Sequence, residues 1–99
     1  MAQRPKGCES IVMAADGAAS ADPKNVYALV ITATGATAGD IVYLRNGSGG
    51  TIKAHFILPA AAGIWVVDFG RYGIEFITSV YYDEVVSATG HIWTTVIFG

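Results

Sequence analysis

The stretch Thr51-Ile52-Lys53-Ala54-His55-Phe56-Ile57-Leu58, followed by Pro59-Ala60-Ala61-Ala62-Gly63 and then Ile64-Trp65-Val66-Val67-Asp68-Phe69, decides how this chain folds. Successive side chains of a β-strand point to opposite faces, so residues two apart share a face. Ile52, Ala54, Phe56 and Leu58 fall on one face and Thr51, Lys53 and His55 on the other. In the second run Trp65, Val67 and Phe69 share a face, and Asp68 points away from it. Between the runs, Pro59 lacks an N–H for a ladder and Gly63 ends the alanines before they can complete a helix. The pattern predicts two half-buried strands joined by a short corner.

The same rhythm continues in both directions. Runs rich in Val, Ile, Tyr, Phe, Trp and Thr predict further strands near Glu9 to Ala14, Val26 to Thr34, Asp40 to Arg45, Ile74 to Ile77, Val80 to Val85 and His91 to Phe98. Turns are expected at residues 35–39, 46–50, 70–73 and 87–90, where Gly, Asn and Ser cluster. The longest break, Asp16 to Pro23, is expected to carry the chain across an end of the structure. No segment leaves room for an amphipathic helix of about ten residues. The expected architecture is all-β: a single-domain antiparallel β-sandwich of about eight strands, jelly-roll-like, over residues 11–99, preceded by a flexible arm at residues 1–10.

Two strands depart from simple alternation. Val26 to Ile31 is apolar in both registers, and Ile92, Trp93, Val96, Ile97 and Phe98 place apolar side chains on both faces of the last strand. A strand apolar on both sides is one buried on both sides, yet one chain's sandwich covers only the inward face. The second face must then meet either the N-terminal arm or another subunit, and Val26, Leu29, Val30, Ile92, Trp93 and Phe98 are the predicted oligomer interface. In the arm, Arg4 and Lys6 are the predicted partner contacts, carried on a segment too polar to order by itself.

Composition points the same way. The chain has 99 residues, of which 53% are hydrophobic and 14% charged, whereas soluble domains carry about 25% charged residues. That is more apolar side chain than one thin core needs. No run approaches the roughly 20 apolar residues of a membrane-spanning helix, so the excess is read as protein contact, with no membrane partner expected. Six basic and eight acidic residues give a formal net charge of −2 without runs of either sign, which argues against a nucleic-acid partner. The polar start lacks the apolar centre of a signal peptide, and the single cysteine, Cys8, allows no internal disulfide. Synthesis in a reducing cytoplasm is expected.

The residues that could carry chemistry are scattered. His55 and His91 sit on separate strands, with Asp68, Glu75 and Asp83 as the available carboxylates, and no His-x-x-x-His or paired-cysteine spacing links them. Cys8 has no histidine partner in its neighbourhood to lower its pKa. Residues 46–50 are glycine-rich, but the Gly-Lys-Ser/Thr and helix of a phosphate loop do not follow. No catalytic residue, metal ligand or cofactor is expected, and the chain is read as a non-enzyme. Tyr72, Tyr81 and Tyr82 leave a second reading open, a carbohydrate- or receptor-binding module that stacks sugars on exposed rings.

The stretch from Lys24-Asn25-Val26-Tyr27-Ala28-Leu29 through Ala38-Gly39-Asp40-Ile41-Val42-Tyr43-Leu44-Arg45-Asn46-Gly47-Ser48, with Gly50-Thr51-Ile52 and Val66-Val67-Asp68-Phe69-Gly70, resembles small β-sandwich virion proteins of tailed phages, either head-decoration (cement) proteins or fibre-like appendages. The resemblance spans about residues 24–98 and lies in strand runs, turn spacing and size, with no diagnostic motif. It implies a homo-oligomer, a trimer being favoured, made in the host cytoplasm and located in the virion. There it would bind the major capsid protein or another virion protein and stabilise the head.

Overall fold

The computed structural model describes residues 8–36, 39–86 and 91–99, and they form nine strands. These are β1 (Glu9–Met13), β2 (Gly17–Ser20), β3 (Lys24–Ala33), β4 (Ile41–Asn46), β5 (Ile52–Ile57), β6 (Gly63–Asp68), β7 (Ile74–Phe76), β8 (Val80–Val85) and β9 (Ile92–Phe98). One sheet has the order β1-β9-β3-β6, with β7 also paired to β3; the other has the order β2-β8-β4-β5. Every pairing is antiparallel. The overall extents of 37 × 34 × 16 Å are those of two layers, since packed sheets lie about 10 Å apart.

β6 and β7 pair with successive parts of β3, Ala28 to Ala33 and Lys24 to Val26, and so act as one interrupted strand. With that merger the pairings become first with last, second with seventh, third with sixth and fourth with fifth. This is the order of a long hairpin rolled upon itself, the jelly roll. The expected all-β sandwich of about eight strands is the observed fold.

Seven of the predicted strands that border the core appear within a residue or two of their expected ends, and so does the edge strand at Ile64 to Phe69. β2 was not expected, because Gly17-Ala18-Ala19-Ser20 has no β-branched or aromatic residue. It is a strand by context: it pairs with β8 through Gly17–Tyr82 and Ala18–Tyr81 and buries Ala19. The hairpin at residues 46–50 closes through Asn46 N–H to Thr51 O at 2.9 Å and Gly50 N–H to Gly47 O at 3.0 Å, with Gly47 and Gly49 at positive φ. The turn expected at residues 87–90 lies outside the described residues, as do Thr37 and Ala38 of the turn at residues 35–39.

The core lies between the sheets. Val26, Leu29, Ile31, Ile92, Val96 and Phe98 of the first sheet meet Val42, Leu44, Val80 and Tyr82 of the second, with Leu58 and Phe76 filling the space between. Phe56, Trp65, Val67, Phe69 and Ile74 pack against this cluster and remain partly exposed. Ile52 departs from its expected inward position. The β4–β5 pairing slips between Leu44 and Arg45, which sets Ile52 opposite Arg45 and leaves it 42% exposed.

One hydrogen-bonded group interrupts the apolar layer. The Tyr82 hydroxyl of β8 donates to Glu84 Oε2 at 2.9 Å and lies 2.9 Å from Thr94 Oγ1 of β9, so it bridges the two sheets. Glu84 N–H donates in turn to Asp16 Oδ1 at 2.9 Å. Among the described residues no buried side-chain N or O lacks a partner, as a folded interior requires.

Candidate interaction surface

The registers fix which side chains share the outer face of the first sheet. Thr34 N–H donates to His91 O, and Phe69 N–H donates to Tyr27 O. Even-numbered residues of β3 from Ala28 onward therefore bond to β9 and odd-numbered ones to β6, following antiparallel alternation. On the outer face, Val12, Thr95, Val30 and Val66 form one row across the four strands. Trp93, Thr32 and Ile64 form the next row, and Ser10, Ile97, Ala28 and Asp68 the third.

Apart from Asp68 at one corner, these rows carry no charge. Val12, Ile64 and Val66 are 60%, 68% and 69% exposed, while Val30, Trp93 and Ile97 are half-buried by their neighbours in the sheet. The His91 imidazole lies 4.3 Å from the Trp93 ring and borders this face. Scattered exposed aliphatics are normal, but a continuous apolar face is a feature of association surfaces.

The outer face of the second sheet has a different chemistry. Arg45 Nε pairs with Asp83 Oδ2 at 3.1 Å, and its Nη1 donates to Gly50 O at 3.2 Å. The same guanidinium lies 5.5 Å from the centre of the Tyr43 ring, which is 6.5 Å from the His55 ring. Lys53 is exposed on the neighbouring edge strand. At the end of this face Val85, Ile41 and Ile57 form one apolar row, with Ile57 and Val85 exposed.

The six residues predicted for the oligomer interface divide between the two sides of the first sheet. Val26, Leu29, Ile92 and Phe98 are buried in the chain's own core, so their area is already covered and they cannot form an interface. Apolarity in both registers marks central strands here, and it does not tell which register faces in. Val30 and Trp93 do lie on the outer face. Val12, Ile64, Val66 and Ile97 complete it; Ile64 and Val66 were missed because the other face of their strand, Trp65, Val67 and Phe69, carried the stronger pattern. Arg4 and Lys6 lie outside the described residues.

The polar residues do not converge. His55 is on the second sheet and His91 at the start of β9; Asp83 is engaged by Arg45, and Asp68 Oδ1 accepts from Gly70 N–H at 2.8 Å. Among the described residues no group of three His, Cys, Asp or Glu side chains is placed to hold a metal. Glu84, with Ala14, Val86, His91 and Ile92, lines a shallow depression at one end of the sandwich. Burial raises the Glu84 carboxyl above its ordinary range, with Asp16 adding to the rise and the Tyr82 hydrogen bond opposing it.

The tyrosines are equally dispersed: Tyr82 is buried, Tyr81 half-buried, and only Tyr72, 78% exposed with the Arg71 guanidinium 5.8 Å from its ring centre, offers a free face. Comparison with protein-family models, with curated proteins and with solved structures finds no match.

Proposed function

We propose that this chain is a non-enzymatic structural protein of a phage virion, a head decoration or cement protein that acts by adhering to its own copies and to the capsid. The observation that carries the reading is the outer face of the first sheet, where Val12, Val30, Ile64, Val66, Trp93 and Ile97 lie together with charge only at its margins, Asp68 and Glu75, backed by a complete core. Water contact with Val12, Val30, Ile64, Val66, Trp93 and Ile97 is unfavourable by roughly 25 cal/mol per Å² of apolar area, and a neighbour would remove it. The rolled strand order adds support by analogy of fold alone, since it recurs in viral shell proteins and also in lectins.

The test is placement. Immuno-electron microscopy of virions that carry the chain should label the head surface, and the purified protein should cosediment with heads depleted of it. Substitution of Val30 by Glu should abolish that cosedimentation without unfolding the protein. Heads that neither carry nor capture it would overturn the proposal. The carbohydrate-binding alternative has one exposed ring, Tyr72, in its favour, and glycan-array binding lost in Tyr72→Ala would establish it instead.

A further inference from the structure

A sandwich of this order has four edge strands, β1 and β6 in one sheet and β2 and β5 in the other. An open edge presents unpaired N–H and C=O groups, and proteins usually protect it with shortness, bulges, Lys or Pro. Three edges here carry such devices. β2 has four residues and a register break, β5 carries Lys53 beside the β4–β5 slip, and β1 is a five-residue strand whose Glu9 is paired to Lys24 at 3.2 Å. β6 carries none: Gly63-Ile64-Trp65-Val66-Val67-Asp68 pairs with β3 in unbroken register and has its single charge at the last position.

The ladder alternation leaves the N–H and C=O groups of Ile64, Val66 and Asp68 directed away from β3, towards the open side. Ile64 and Val66 are also the two most exposed residues of the apolar outer face named above. On the inner side of the same strand Trp65 is only half-buried, 6.2 Å from Phe56 of β5, where the two sheets' edges meet.

We infer that two copies of this chain join along β6, antiparallel and two-fold symmetric about Trp65. In that register Ile64 of each copy lies opposite Val66 of the other, and both pairs exchange backbone hydrogen bonds. The two Trp65 side chains meet over the seam, and Asp68 falls opposite Ala62, away from its symmetry mate. The occupant is a second copy because the strand is complementary to itself: like charges do not meet and apolar residues face apolar ones on both sides. A two-fold contact of this kind closes on itself. A strand pair alone covers less than the roughly 800 Å² per partner of a standard interface, so the Trp65–Phe56 seam must be part of the contact.

The inference rests on the associative reading above and specifies its geometry. Hydrogen exchange at high and low protein concentration, beside light scattering, tests it. At high concentration the mass should be that of a dimer, and the amides of Ile64, Val66 and Asp68 should exchange at least about tenfold more slowly than in the monomer. Val66→Pro removes an edge donor without breaking the β3 ladder, and should return the monomer with β3 protection intact. Arg45→Ala, on the outer face of the other sheet, should leave the dimer in place.

A trimer, or a dimer whose edge amides exchange freely, overturns the β6 pairing while leaving the associative function standing. So does a monomer that still binds heads. A monomer that binds no head overturns both.

Discussion

The two outer faces of this sandwich are built from the same kind of strand and the same alternation, yet the rows across β1, β9, β3 and β6 carry one charge, Asp68 at a corner, and the other face is organised around the Arg45–Asp83 pair. The inner faces do not differ in this way: both supply aliphatic and aromatic side chains to one core. Stability requires only the inner faces to be apolar. The difference outside is therefore not needed for folding, and the proposed association assigns it to contact with a neighbour.

The largest effect should come from erasing that difference. Val30→Glu places a charge at the centre of the apolar face and should weaken self-association or head binding by a factor of 100 or more, about 2.7 kcal/mol. The thermal midpoint should move by only a few degrees, because the outer position contributes little to the core. Sedimentation velocity and calorimetry on the same sample separate the two quantities. A variant that associates normally would mean that the apolar face is not the contact.

A second change tests the layer that joins the faces. Tyr82→Phe leaves the packing in place and removes a hydroxyl that serves Glu84 and Thr94, so urea denaturation should show a loss of about 1 to 3 kcal/mol. Burial, first, and the Glu84 carboxylate hold the Tyr82 phenol above its ordinary value. Its contribution is complete below the unfolded-state pKa of about 10. It falls as pH rises further, because the unfolded chain releases the proton while the folded chain retains it. The Tyr82→Phe variant should lose this part of the alkaline destabilisation.

Glu84 supplies a smaller effect with the same sign. Its folded pKa is raised above the unfolded value, so its protonated form favours the folded state, and that contribution declines as pH rises through the interval between the two values. Glu84→Gln should flatten the stability profile in the mildly acidic range. A profile unchanged by the substitution would place the acid dependence elsewhere.

The smallest effect belongs to the charged face. Arg45→Ala breaks a partly exposed ion pair worth about 0.2 to 1 kcal/mol, and it should leave association untouched. If it weakens assembly as strongly as Val30→Glu, the contrast between the faces has been misread.

Much of the fold could be read from the sequence because alternation and turn chemistry are local. Ala54, Phe56 and Leu58 turn inward as their spacing requires, and the residues 46–50 close a hairpin as their glycines require. β2 was hidden because Gly17-Ala18-Ala19-Ser20 becomes a strand only through β8, more than sixty positions away in the chain. The surface was half legible for a related reason. In Val26 to Ile31 both registers are apolar, and the choice between them is made by a bulge between Val26 and Ala28, which no composition reveals. The Tyr82–Thr94 bridge likewise joins residues whose types are ordinary for strands, so only their meeting distinguishes them.

β9 lies between β1 and β3 and, among the described residues, is the only strand that pairs with β1. A nascent chain must therefore carry residues 9–13 without their partner until residues 92–98 have been made. Pairing the two closes a loop of about eighty residues, and contacts so distant slow the search for the native state. During that interval the unprotected β6 is already present and exposed, so the step from chain to sandwich competes with strand exchange between neighbouring chains. Yield of folded protein should accordingly fall with expression rate and temperature more steeply than its equilibrium stability would suggest.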